Sequence, residues 1–192
     1  MSTSKSENVV KKKFCSITKK VYPSERMIRF ISFPDDRYTP DLYHEFEGKE
    51  FYVLASKTAL EKINGFIEYK DKQKSSTKNL ISRIDAIILR RIVSSIALAR
   101  KSGKVIIGHE KIQKLLQKNK IELLIQAKDG SKKRKNELVL PKDQARKIDC
   151  LSQKELGIPF KKEIVTNVGF LKSSFTIPLI FDTARLGSLR SC

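Results

Sequence analysis

The chain has 192 residues, 40% apolar and 32% charged, with a formal net charge of +19, a length that buries a modest core in one domain or two small ones. No run approaches the roughly 18 consecutive apolar residues of a membrane-spanning helix, and the N-terminus lacks the apolar segment of a secretory signal, so a cytoplasmic protein with no membrane partner is expected. Cys15, Cys150 and Cys192 are scattered and the only histidines are His44 and His109, which argues against a four-ligand zinc site; no metal and no cofactor are expected.

Taken in chain order, residues 1–13 are polar, end in Lys11-Lys12-Lys13 and predict a flexible basic arm. Residues 14–67 predict a small α+β domain. Within it "MIRFISF" (27–33) alternates as a strand, "PDD" (34–36) turns, and "EFYVLA" (50–55) is a second strand. "SKTALEKING" (56–65) follows as a helix, with Ser56 as its N-cap and Gly65 just past its end. Residues 68–79, "EYKDKQKSSTKN", have no periodicity and no large aliphatic side chain, and predict a linker.

Residues 80–192 predict a second domain. Apolar residues at 81, 84, 88, 92 and 96 space out a helix of about six turns that Gly103 ends. "KVIIG", "HEKIQKLLQKNK" and "IELLIQAKD" then alternate strand, helix and strand, so the fold class is α/β, with a mixed or parallel sheet flanked by helices. "GSKKRKNE" (130–137) predicts a loop. "LPKDQARKI" (140–148) predicts a helix, with Pro141 in its first turn and Asp143 at its positive end. "GIPFKKEIVTNVGF" predicts a strand and "TIPLIFDTARLGSLRS" a closing helix.

The charge is unevenly spread. Residues 1–66 carry 12 basic and 9 acidic side chains, and residues 67–192 carry 28 and 12. Such an excess favours a polyanionic partner; a solvated basic surface is the plainer alternative. Lys111, Lys114 and Lys118 fall within about 60° of one another on a helix, beside an apolar sector of Ile112, Leu115 and Leu116. Gly108 lets a backbone or phosphate come close, and the helix N-terminus after it suits an anion. Arg100, Lys101 and Lys104 add charge just before the strand. Two readings stand: a phosphate-gripping corner, or an amphipathic helix with a wet lysine edge.

"GHEKIQKLLQKNKIELLIQAKD" resembles the signature of the kink-turn-binding ribosomal protein family, including its bacterial relative YlxQ, on Gly108, Ile112, Lys114, Leu123, Leu124, Ile125, Ala127 and Asp129. "LARKSGKVIIG" and "SQKELG" (152–157) are similar to the flanking segments of that family. The resemblance implies an α/β/α three-layer domain over 80–192 that binds structured RNA. Where the family carries Asn-Glu to read sheared G·A pairs, this chain has Glu110-Lys111. "KFCSITKKVYPSERMIRFISFPDDRYTPDL" resembles the bacterial YlxR family on Cys15, Ile17, Thr18, Ile28, Arg29, Phe30, Pro40, Asp41 and Leu42. Gly48-Lys49-Glu50-Phe51-Tyr52 stands where that family has its Gly-Arg-Gly loop. A YlxR unit joined to a kink-turn-type unit is a bacterial arrangement, and both resemblances imply nucleic-acid binding linked to translation.

The candidate RNA-binding residues are Lys13, Arg29, Gly48, Lys49 and Tyr52 in the first domain. In the second they are Arg100, Lys101, Lys104, Gly108, His109, Glu110, Lys111, Lys114, Lys118, Lys132, Lys133 and Arg134. Each has a plainer reading. Arg29 either meets phosphate or pairs with Asp35, Asp36 or Asp41. Tyr52 either stacks a base or is a surface aromatic, with Phe51 in the core. "KKRK" (132–135) is a phosphate contact or a solvated loop, and His109 a base reader or a capping histidine. Cys15 and Cys150 are expected to be small buried hydrophobes. Phe46, Phe160, Phe170, Phe175 and Phe181 are expected in the core. Ser, His and Asp do not cluster, and no nucleotide-binding glycine loop occurs, so no catalytic residues and no enzyme are expected. The partner expected is structured RNA, ribosomal or another stable species, in contact with the ribosome or alone. A DNA-binding regulator, an RNA methyltransferase and an adaptor for an acidic protein are the rivals.

Overall fold

The computed structural model describes residues 11–32, 38–67, 77–140 and 146–190, and the chain is mixed α/β with several sheets. Its contacts divide it into two compact units, Met1–Ile81 and Ser82–Cys192. The expected turn at 34–36, the linker residues 68–76 and residues 141–145 of the expected helix lie outside the described residues, as do residues 1–10 and 191–192.

In the first unit, β1 (Lys12–Phe14) pairs antiparallel with β2 (Val21–Pro23). Lys12 and Lys13 are therefore strand residues, not part of a flexible arm. The turn that joins the strands has no glycine or proline to announce it. Lys19 supplies the left-handed residue (φ 57°), and the buried Cys15 Sγ accepts the Thr18 N–H at 3.4 Å and the Leu54 N–H at 3.3 Å. Burial alone would push the Cys15 thiol up, but the hydrogen bonds from Thr18 and Leu54 outweigh it and hold the thiol below its ordinary value. Cys15 is thus a buried acceptor that pins a turn, more than a small hydrophobe.

A three-stranded antiparallel sheet follows in the order β4 (Tyr38–Pro40), β3 (Met27–Ser32), β5 (Lys49–Leu54). The expected alternation of β3 is absent: Met27, Ile28, Phe30 and Ile31 are all buried, because both faces of this central strand are covered. Helix α1 (Lys57–Ile67) starts as expected, with the Ser56 hydroxyl accepting the Ala59 N–H at 3.3 Å. It runs through Gly65 instead of stopping before it.

Helix α2 (Thr77–Lys101) takes in Thr77, Lys78 and Asn79 from the expected linker, and from Ser82 onward it belongs to the second unit. Its buried stripe of Ile84, Ile88, Ile92 and Ile96 recurs at helical spacing, and Gly103 (φ 67°) closes it, with the Lys104 N–H bonded to Ala99 O at 2.9 Å. Next come β6 (Val105–Ile107), α3 (His109–Gln117), β7 (Ile121–Gln126), α4 (Lys132–Glu137), β8 (Arg146–Ile148), α5 (Gln153–Gly157), β9 (Asn167–Leu171) and α6 (Thr176–Arg190). The sheet order is β6-β9-β7-β8. β9 lies antiparallel between β6 and β7, and β8 runs parallel to β7, so the sheet is mixed. Ile112 and Leu116 of α3 pack with Ile121, Leu124 and Leu138 over one face.

Two expectations fail here. The expected loop 130–137 is the helix α4, because Lys and Arg are good helix formers and its last turn is anchored by the fully packed Leu138. Arg146–Ile148 form an edge strand, not the end of a helix, because their ladder with Leu123–Ile125 outweighs a weak local preference. The resemblance motifs also meet in space: Asp129 Oδ1 accepts the Gln153 N–H at 2.8 Å, tying the end of β7 to the start of α5. A capping box of Ser152 and Glu155 opens α5. Gly157 closes it where a Cβ would lie 2.3 Å from Lys162 O, so only glycine lets the chain fold back there.

Candidate nucleic-acid interface

β6 and β9 are antiparallel neighbours, with Ile107 opposite Val168. The end of β6 therefore lies beside the start of β9, and the loop before β9 is carried next to the N-terminus of α3. An open cleft of about 600 Å³ results. It is lined by Gly108, His109, Glu110 and Lys111 at the start of α3, by Arg134 from α4, and by Lys162, Ile164 and Asn167. Lys111, Arg134 and Lys162 are exposed, and so is Ile164, at 55%. Three cations, the N–H groups of a helix start and an apolar side chain thus share one concavity.

Gly108 makes the entry to α3. Its φ of +103° is one that L side chains rarely adopt, although nothing lies within 4 Å of a Cβ there. Gly108→Ala is therefore expected to lower stability through backbone strain alone, by about 1–3 kcal/mol, measurable as a shift in the thermal midpoint. His109 follows, its Nε2 3.1 Å from Glu137 Oε2, while its buried Nδ1 has no partner. Asn167, which lines the cleft, accepts the side-chain N–H of the buried Gln126 at 3.0 Å.

Of the residues expected from sequence, the structure brings Gly108, His109, Glu110, Lys111 and Arg134 together. Lys114 is exposed on α3, Lys118 just past its end, and Lys132 and Lys133 on α4, but none of them lines the cleft. Arg100 is exposed, donates to Pro159 O at 2.9 Å and sits 5.5 Å over the Phe160 ring, outside the cleft. Lys101 is exposed at the end of α2, and Lys104 just before β6. Lys162 and Ile164 are missed by the sequence reading, which takes them as part of a strand. Only the doubled lysine before an exposed isoleucine hints at them.

The first unit holds its candidates differently. Arg29 bonds Asp41 and Glu50 (2.7 Å) and reaches Phe46 O at 3.3 Å. Asp41, a partner named from sequence, is buried, so this guanidinium is occupied by carboxylates and not offered to phosphate. The hydrogen bond from Arg29 is the main reason the Glu50 carboxyl lies below its usual range. Lys13 Nζ lies 4.4 Å over the Tyr52 ring and 4.0 Å from Glu50, while the Tyr52 hydroxyl donates to Glu50 at 3.2 Å. That face of Tyr52 is covered and cannot stack a base. Phe51 stacks on Phe30 at 5.3 Å and meets the edge of Tyr38 at 5.1 Å. Lys49 is exposed beside Gly48 (φ 143°). Phe46 is exposed at 44%, contrary to a core assignment, whereas Phe160 and Phe170 are buried and Phe175 and Phe181 half-buried.

Among the described residues no cluster of His, Cys, Asp and Glu could hold a metal ion, and no helix is long and apolar enough to cross a membrane. No protein-family model matches the chain, and no curated protein matches it. Among solved structures, it is similar to a protein of unknown function from Bacillus halodurans, at 20% identity and a TM-score of 0.40, over 47% of this chain and 96% of that one.

Proposed function

We propose that the chain is a non-enzymatic RNA-binding protein whose second unit grips the backbone of a structured RNA, ribosomal or another stable species, in translation or RNA processing. The observation that carries this reading is the single cleft that collects Lys111, Arg134, Lys162 and the start of α3. Backbone neutralisation supplies the affinity and helix shape the selectivity. The sheet order β6-β9-β7-β8 and the contact between Asp129 and the SQKELG segment support a three-layer domain of the kink-turn-binding ribosomal protein type. The β3–β5 pairing around Arg29 and Asp41 supports a YlxR-like first domain. Glu110-Lys111 stands where the family has the Asn-Glu pair that reads G·A, so this reading rests on backbone contact and not on recognition of G·A pairs.

A filter-binding competition between a folded RNA and duplex DNA of equal length tests the proposal. Folded RNA is expected to displace labelled RNA at a lower concentration than DNA does. Equal competition would move the protein to the DNA-binding class, and a complex that resists nuclease would identify an acidic protein partner instead.

A further inference from the structure

The β1–β2 hairpin carries a second surface that the cleft does not use. Lys13 turns toward Tyr52, so its neighbours Lys12 and Phe14 lie on the opposite face of the strand. Their exposure follows: Lys12 and Phe14 are open to solvent, and Lys13 is half-buried between them. Across the ladder Phe14 faces Val21, and Lys12 faces Pro23. Phe14 is 53% exposed and Val21 59%. An aromatic and a branched aliphatic side chain paired on this two-stranded ribbon leave about half of their surface in water. They make a flat apolar platform.

The surroundings say what fits it. Lys12 shares the face of Phe14, Lys19 and Lys20 are exposed in the adjoining turn, and residues 11–24 contain no Asp or Glu. The turn that presents Lys19 and Lys20 is fixed: the Cys15 N–H bonds Lys20 O at 2.8 Å, the Lys19 N–H bonds Cys15 O at 2.9 Å, and Cys15 Sγ holds Thr18 and Leu54. The rims are thus cationic and held in place, while the centre is an open aromatic face. An acidic peptide would satisfy the lysines but leave the ring without a flat partner. An unpaired base with its phosphates satisfies both, through stacking and backbone neutralisation.

We propose that Phe14, backed by Val21 and rimmed by Lys12, Lys19 and Lys20, is a stacking platform for an unpaired nucleotide of single-stranded RNA. The choice of RNA over DNA rests on the function proposed above; the platform itself does not. The chain contains no tryptophan, so Phe14→Trp places the protein's only indole on the surface in question. Oligouridylate is expected to quench its emission saturably, in the full-length protein and equally when the cleft carries Lys111→Gln and Arg134→Gln. Phe14→Ala is expected to weaken oligouridylate binding about 5- to 100-fold while its circular dichroism melt and its affinity for a fully paired RNA hairpin stay unchanged. An indole that stays unquenched in a Phe14→Trp protein still able to bind the hairpin would overturn the platform and leave the cleft standing. Loss of hairpin binding with quenching intact would do the reverse. Equal or stronger quenching by oligothymidylate would overturn the assignment to RNA.

Discussion

Replacing Lys111, Arg134 and Lys162 together by glutamine is expected to lower affinity for a folded RNA about 10²- to 10³-fold at 0.1 M salt, and hardly at all near 1 M. Each phosphate neutralised releases roughly 0.9 of a condensed counterion, so each lost contact is worth about eightfold at 0.1 M and flattens the salt slope by about one. The unaltered protein, if it neutralises about six phosphates, should itself weaken about 10³-fold between 50 and 200 mM salt. Fluorescence anisotropy across a salt series reads both effects. The companion variant Lys114→Gln/Lys118→Gln removes two charges, one on α3 and one at its C-terminal end, that stay outside the cleft. It changes total charge by almost as much, yet its slope should change less. If the two variants behaved alike, net charge and not the cleft would be the grip, and a flat salt response in the parent would remove backbone neutralisation altogether.

Arg190→Met is expected to cost the second unit about 3 kcal/mol at neutral pH, a drop of roughly 10–20 °C in its thermal midpoint. This guanidinium ends α6 and clamps two carboxylates from elsewhere in the unit: Asp85 of α2 at 2.6 and 2.7 Å and Glu155 of α5 at 2.9 and 3.0 Å, with Cys150 O at 3.2 Å. All three side chains are more than three-quarters shielded from water. The hydrogen bonds that Arg190 donates to Asp85 hold its own pKa above the ordinary value. Burial would raise Glu155, but Arg190 and Ser152 together leave it below its ordinary 4.5. A depressed carboxylate contributes stability that is present above its unfolded pKa and lost as pH falls through the folded value. The gap between parent and variant should therefore be widest near neutrality and close in acid below about 4.5. Glu155→Gln added to Arg190→Met should recover part of the loss, since it removes one of the two stranded charges. A pH-independent gap would mean that methionine disturbs packing and not charge.

Much of this architecture is written locally. Ile84, Ile88, Ile92 and Ile96 recur every fourth residue, Ser56 caps α1, and Gly103 ends α2; each signal acts through neighbours one turn away. The elements that escape are those whose partner is remote. Phe14 belongs to a strand because Val21 pairs with it around a turn held by Cys15, and Arg146–Ile148 belong to one because Leu123–Ile125 lie alongside. Nothing in Arg-Lys-Ile by itself prefers an edge strand to a helix.

The candidate site divides in the same way. Chain order alone determined that the second half is strongly basic, that α3 has a lysine edge, and that Gly108 opens it, because charge and helical spacing are properties of contiguous residues. Only the tertiary structure decided which lysines share a cleft. Inserting β9 between β6 and β7 brings Lys162 and Ile164 to Gly108 and leaves Lys114 and Lys118 outside. It also decided that Arg29 answers to Asp41 and Glu50, because antiparallel pairing puts β5 beside β3 and backbone hydrogen bonding, not sequence distance, sets which charges meet.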